Sequence, residues 1–129
     1  MYTNMTTNLM VENVDKAICF YRDVLDFTVV VTVPGDDDSL FVILSKDKLS
    51  LMLQKRTSLT EEYPILDIDK VRPSVSLYIM VDNFYELYEE IKGKYPIYTE
   101  LHTSSYGAKE FAIADIDGYV LTFTENKDI

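Results

Sequence analysis

One short pattern occurs twice in the sequence, and this repetition constrains the fold more than any other feature. Met10-Val11-Glu12-Asn13-Val14 returns seventy positions later as Met80-Val81-Asp82-Asn83-Phe84. The same offset relates apolar positions further along: Phe41 and Phe111, Ile43 and Ile113, Leu51 and Leu121, Leu53 and Phe123. A long repeat kept without a slip indicates two copies of one supersecondary unit. We therefore expect two similar halves within a chain of 129 residues.

The first half predicts a strand, a helix and three further strands. Residues 5–11 alternate as in a strand, and Asn13 is a suitable N-cap for a helix over Val14–Leu25, where apolar residues form one stripe. The β-branched run 27–33 predicts a buried strand that ends at Pro34-Gly35. A hairpin is expected from two further strands, at 41–44 and 49–54.

The second half repeats this order. A strand at 74–81 precedes Asn83, which forms a capping-box pattern with Glu86, and the predicted helix ends at Gly93. A short strand at 97–101, a loop at 102–108 and a hairpin across Asp115-Ile116-Asp117-Gly118 follow. The prediction is an α+β fold of two β-α-β-β-β modules in one domain, 1–129: module one at 5–55, a connection at 56–73 and module two at 74–125. A polar connection of this length is typical of a lid or binding segment.

The two faces of the predicted strands differ in chemistry. Odd-numbered positions are apolar, as in Leu9, Leu53 and Phe123, and should pack against the helices. Even-numbered positions mix polar residues with Met and Tyr, which suits a small-molecule cleft as well as a solvated or subunit-covered sheet face. The candidate ligand-binding residues are Asn8, Met10, Met52, Gln54, Tyr78, Met80, Tyr106, Glu110 and Thr122.

Charge and cysteine content narrow the classes of partner. The net charge of −10 argues against nucleic acid and favours a cationic partner, although solubility alone also explains it. The single cysteine excludes an intramolecular disulfide framework and fits a reducing compartment. No stretch predicts a membrane span or a signal peptide, so a soluble cytoplasmic protein is expected.

Several segments together resemble the vicinal oxygen chelate superfamily, which includes glyoxalase I, extradiol dioxygenases and bleomycin-resistance proteins. They are the two modules, Phe20-Tyr21-Arg22-Asp23-Val24-Leu25 and Asp115-Ile116-Asp117-Gly118-Tyr119-Val120-Leu121. Leu51-Met52-Leu53-Gln54 and Lys109-Glu110-Phe111 look most like the bleomycin-resistance branch. The resemblance covers about residues 5–125 and implies paired modules that form a curved mixed sheet around a cleft.

The resemblance also implies where a metal would bind. Enzymes of the superfamily use four side chains, usually His, Glu or Gln, on the first and last strand of each module. In this sequence the matching positions are Thr6, Met52, Ser76 and Thr122. Hydroxyl and thioether groups are poor ligands for a hard or borderline divalent metal. We expect no metal and no other cofactor.

These observations favour a metal-free binding protein that sequesters an aromatic or cationic small molecule. A glyoxalase-like lyase or dioxygenase with an atypical divalent metal site is the alternative hypothesis, and a third is a member in which the even face is only an oligomer interface. The resemblance further implies a homodimer, since members of this branch generally complete their clefts from two subunits. The identity of the ligand lies beyond the sequence.

Overall fold

The chain forms two compact units that divide between Val71 and Arg72 in the computed structural model, which describes residues 1–127. The first unit contains β1 (Thr7–Val11), α1 (Val14–Leu25), β2 (Thr28–Pro34), β3 (Ser39–Lys46), β4 (Leu49–Lys55), α2 (Arg56–Glu62) and a 3₁₀ turn (Pro64–Leu66). The second contains β5 (Ser76–Val81), α3 (Phe84–Lys92), β6 (Thr99–Thr103), β7 (Lys109–Ala114) and β8 (Val120–Glu125). The division falls inside the predicted connection.

Each unit has one four-stranded mixed sheet, and the two sheets have the same topology. The strand orders are β1-β4-β3-β2 and β5-β8-β7-β6. In each sheet the first strand pairs in parallel with the last, and the remaining pairs are antiparallel. The predicted α+β fold of two β-α-β-β-β modules is therefore confirmed.

On β1, β4 and β8 the odd-numbered positions supply apolar core residues, as the strand pattern predicted. Six apolar, odd-numbered positions on β1, β4 and β8 are buried, and none is more than 5 % exposed: Leu9, Val11, Leu51, Leu53, Leu121 and Phe123. Burial of this apolar area provides the main driving force for each sheet to pack against its helix. On the same three strands, polar residues such as Asn8, Gln54 and Thr122 occupy even positions.

Helix α1 has the predicted bounds because both of its ends are capped. The Asn13 side chain accepts a hydrogen bond from the Lys16 backbone N–H at 2.9 Å, as an N-cap should. At the other end Asp26 adopts the left-handed conformation, with φ 60° and ψ 29°. Its backbone N–H donates to the Arg22 carbonyl at 3.1 Å, so the chain turns directly into β2.

Strand β2 is not buried, contrary to the prediction from its β-branched sequence. All seven of its residues are exposed, and Val30 is 57 % accessible. The strand lies at the edge of its sheet and pairs only with β3. A β-branched run indicates strand conformation, but it does not show on how many sides a strand is covered.

Two further expectations about local structure were wrong. The predicted connection 56–73 is not a plain loop, because it contains helix α2 and the 3₁₀ turn. The capping box of Asn83 and Glu86 does not form, because the Asn83 side chain makes no capping hydrogen bond.

No helix within residues 1–127 is long and apolar enough to cross a membrane.

Candidate functional site

In the second unit, a carboxylate and a tyrosine from the even face are joined by short hydrogen bonds to each other and to a tyrosine from a neighbouring turn. Tyr78 on β5 and Tyr106 each donate a hydroxyl hydrogen to Glu110 Oε2 at 2.6 Å. The two hydroxyl oxygens lie 3.1 Å apart. Glu110 on β7 is 8 % exposed and pairs in register with His102 on β6. We call Tyr78, His102, Tyr106 and Glu110 the Glu110 cluster.

The sheet register explains how these side chains meet. Tyr78 lies opposite Thr122 on β8, and Glu110 lies opposite Thr124 on the same strand. Because β8 separates β5 from β7, Tyr78 must reach across one strand to contact Glu110. The two threonines between them are small, which leaves room for the long tyrosine side chain to do so.

Tyr106 reaches the cluster from a tight turn between β6 and β7. The Gly107 N–H donates to the Ser104 carbonyl at 3.0 Å, and the Ser104 N–H donates to the Ala108 carbonyl at 2.7 Å. Gly107 has φ +90°, a conformation that side-chain-bearing residues rarely adopt. This turn brings the tyrosine hydroxyl back over β7, four residues before Glu110.

The hydrogen bonds keep Glu110 ionised. Donation from Tyr106, then from Tyr78, lowers the pKa of the Glu110 carboxyl, and the charge of His102 lowers it further. The same hydrogen bond to Glu110 raises the pKa of the Tyr106 hydroxyl. A carboxylate of lowered pKa is a weak base at neutral pH. The cluster is therefore better suited to holding a positive charge than to removing a proton.

The cluster is open to solvent on its tyrosine side. Tyr78 is 50 % exposed and Tyr106 is 71 % exposed, so both rings are accessible to a guest. Met80, two residues beyond Tyr78 on β5, is also exposed. Aromatic rings attract cations, and a methionine adapts its shape to an apolar guest.

The first unit contains a separate polar group built on Gln54. The Asn8 amide donates to Gln54 Oε1 at 2.9 Å, and Gln54 Nε2 donates to Ser58 Oγ at 3.0 Å and to Glu62 Oε1 at 3.2 Å. Gln54 is buried at the end of β4, whereas its partners Ser58 and Glu62 lie on α2. An open pocket of about 460 Å³ borders this group and is lined by Leu40, Gln54, Ser58, Glu61 and Glu62.

The structure thus groups some of the candidate residues and not others. Tyr78, Tyr106 and Glu110 are bonded together, and so are Asn8 and Gln54. Thr122 is half-buried beside Tyr78 in the register. Met10 and Met52 are half-buried opposite Gln54 and Asn8, respectively.

Sequence reasoning missed residues that both groups use. His102 was assigned to a loop, yet it lies in β6, which extends two residues beyond the predicted strand end. Its even number, shared with Glu110, could have placed it on the polar face. Ser58, Glu61 and Glu62 were missed because α2 contains one buried residue, Leu59, and therefore lacks a periodic apolar stripe.

The four positions at which the resemblance predicts a metal site carry unsuitable donors. Thr6 precedes β1, Ser76 begins β5, and Met52 and Thr122 lie on β4 and β8. Two threonine hydroxyls, a serine hydroxyl and a thioether do not fit a divalent metal that prefers imidazole or carboxylate. Nor does any group of three or more His, Cys, Asp and Glu side chains among residues 1–127 have an arrangement that could hold a metal ion.

These features agree with a comparison against protein families. The chain belongs to the glyoxalase/bleomycin resistance protein/dioxygenase superfamily, whose family model matches residues 4–123. The predicted superfamily is thereby confirmed. A comparison with curated proteins gives no significant match.

Solved structures with the same fold include proteins of different function. A bleomycin-binding protein complexed with bleomycin is 23 % identical, with a TM-score of 0.70, covering 98 % of this chain and 100 % of that one. A lactoylglutathione lyase from Agrobacterium tumefaciens is 20 % identical, with a TM-score of 0.72, covering 98 % and 95 %. TioX from Micromonospora sp. ML1 is 14 % identical, with a TM-score of 0.74, covering 98 % and 100 %. At such identities the similarity shows the fold alone.

Proposed function

We propose that this protein binds an aromatic, cationic small molecule and sequesters it without transforming it. The observation that carries the proposal is the Glu110 cluster, in which an ionised, largely buried carboxylate stands beside the exposed Tyr78 and Tyr106. A flat cation can contact an aromatic ring and at the same time donate a charge-assisted hydrogen bond to the carboxylate. A bleomycin-binding protein of the same fold, complexed with bleomycin, supports the proposal.

The donor set supports binding over catalysis. Superfamily enzymes rely on a divalent metal, and the matching positions Thr6, Met52, Ser76 and Thr122 offer no imidazole or carboxylate. Glu110 has a lowered pKa, which makes it a poor general base. The net charge of −10 adds a field that attracts cationic guests.

Titration calorimetry with bleomycin, ethidium and a neutral flat aromatic compound tests the proposal. Wild-type protein should bind at least one of the two cations and bind the neutral compound more weakly. Glu110→Gln should weaken binding about 10- to 100-fold, because a charge-assisted hydrogen bond is lost. Tyr78→Ala should weaken it about 2- to 30-fold through loss of a cation–π contact.

Two matched variants control for charge and ring removal elsewhere. Glu89→Gln removes one exposed carboxylate from α3, and Tyr98→Ala removes a ring that is 71 % exposed, as Tyr106 is. Both should bind as the wild type does. No heat with either cation, or equal weakening by Glu89→Gln and Glu110→Gln, would contradict the proposal.

A further inference from the structure

The one histidine in the sequence directly faces the carboxylate of the Glu110 cluster. His102 on β6 pairs in register with Glu110 on β7, and its Nε2 lies 3.7 Å from Glu110 Oε1. Both tyrosine hydroxyls donate to the other oxygen, Oε2. Oε1 is therefore the carboxylate oxygen best placed to receive a hydrogen-bond donor from a guest, and His102 stands next to it.

The hydrogen bond on the far side of the ring determines the imidazole tautomer. His102 Nδ1 lies 2.9 Å from the Glu100 backbone carbonyl oxygen. A carbonyl oxygen only accepts, so Nδ1 carries the hydrogen in the neutral ring. Neutral Nε2 then presents a lone pair toward Oε1 and cannot bond to it. Protonation gives Nε2 a hydrogen and a positive charge, and His102 becomes a donor to Oε1.

We infer that His102 is a proton-linked specificity residue of the site. When its imidazole is neutral, a cationic N–H donor of the guest can bond to Glu110 Oε1. When the imidazole is charged, His102 itself donates to Oε1 and competes with the guest. This inference rests on the proposed function, because it assumes that the guest reaches Glu110. It adds two statements about the guest: its cationic part carries N–H hydrogens, and its affinity falls as the pH falls. A guest without N–H donors, such as a quaternary ammonium compound, gains less from Oε1.

Other charged and titratable groups lie near His102. The Glu100 carboxylate accepts a hydrogen bond from Tyr88 at 2.6 Å. Lys109, beside Glu110, donates to Thr103 Oγ1 at 2.7 Å. The hydrogen bond to Glu110 raises the pKa of the Tyr106 hydroxyl, and the hydrogen bonds that Glu110 accepts lower the pKa of its carboxyl. Imidazole is the side chain that titrates between about pH 5 and 8.

The first experiment needs no ligand. A long-range ¹H–¹⁵N NMR spectrum at about pH 8 distinguishes the two neutral imidazole tautomers, and the single histidine makes the assignment unambiguous. The expected result is the Nδ1–H tautomer. The Nε2–H tautomer would overturn the inference while leaving the proposed function intact, because Nε2 would then donate to Oε1 at every pH.

The second experiment measures the affinity for ethidium at about pH 8 and about pH 5.5 by calorimetry. Ethidium carries N–H hydrogens on two amino groups conjugated with its cationic ring and keeps its charge between these values, so the protein alone supplies any pH dependence. Wild-type affinity should fall about tenfold on acidification, the size expected for competition over one charge-assisted hydrogen bond. His102→Asn, which retains a donor toward the Glu100 carbonyl, should bind with nearly the same affinity at both values.

The possible outcomes separate the two proposals. Binding that is equally pH-sensitive in the wild type and His102→Asn, or insensitive in both, would overturn the role of His102 and leave the binding function standing. If ethidium and bleomycin bind at neither pH, the proposed function fails and the role of His102 fails with it. A wild-type affinity that falls on acidification, with no fall in His102→Asn, supports both.

Discussion

Asn13 and Asn83 occupy matched positions before the first helix of each half, yet only one of them caps its helix. Asn13 has an extended backbone, with φ −138° and ψ 111°, and its side chain accepts from Lys16 N–H. Asn83 has φ −102° and ψ 48°, and its side chain makes no such bond. The sequence pattern is the same in both, so the difference arises from the backbone that each turn imposes.

The two asparagines therefore provide a matched pair for a stability measurement. Asn13→Ala should lower the free energy of unfolding by about 1 kcal/mol, the usual effect of removing an N-cap. Asn83→Ala should change it by no more than about 0.5 kcal/mol, as for an exposed residue whose side chain makes no capping hydrogen bond. Urea denaturation of both variants measures the difference. Equal losses would show that Asn83 also caps its helix in solution.

Sequence reasoning identified residues of the site more readily than their partnerships. Tyr78 and Glu110 were selected because even-numbered strand positions share a face. That both tyrosines donate to the same carboxylate oxygen could not be predicted, because it depends on the turn at Gly107 and on two small threonines between the strands. His102 was missed because the end of β6 was placed two residues too early, and strand ends carry little periodic information.

At the scale of elements, β2 and β3 carry similar apolar residues in very different environments. Val30 on β2 is 57 % exposed, whereas its neighbour strand contains Val42, which is 0 % exposed. Val42→Ala should lower the free energy of unfolding by about 1.5–3 kcal/mol, because a cavity remains where the methyl groups were buried. Val30→Ala should change it by less than about 0.5 kcal/mol.

Urea denaturation of the two valine variants checks this comparison under the same conditions. A large loss of the free energy of unfolding from Val30→Ala would show that β2 is covered in the folded protein, as its sequence suggested.

Helix α1 was predicted with its observed bounds because its apolar stripe recurs with helical periodicity. Helix α2 was not predicted, since Leu59 is its only buried residue.

At the scale of the whole molecule, the repeat predicted the topology of both units but not their chemistry. Matched positions hold different groups: Glu110 corresponds to Leu40, and Tyr78 corresponds to Asn8. The repeat is maintained at apolar positions such as Phe41 and Phe111, which build the same fold twice. The residues at matched positions of the two even faces differ, so the Glu110 cluster has no counterpart in the first unit.

The homodimer stays a prediction at this scale. Exposed apolar side chains on β2 and at Met80 would otherwise contact water, and the most frequent way to cover such surface is a twofold pair of chains. Sedimentation velocity at micromolar concentration should give twice the 14.9 kDa mass of the chain. A single species with the mass of one chain would contradict the prediction.

The central claim is that the protein holds a cationic aromatic guest and releases it unchanged. Native mass spectrometry after incubation with bleomycin or ethidium tests this most directly, because it reports the complex and the mass of the guest in one measurement. The account predicts a complex whose mass is that of the protein plus the intact guest, and a guest of unaltered mass after denaturation. Absence of any complex with both compounds, or a guest recovered with a changed mass, would contradict it.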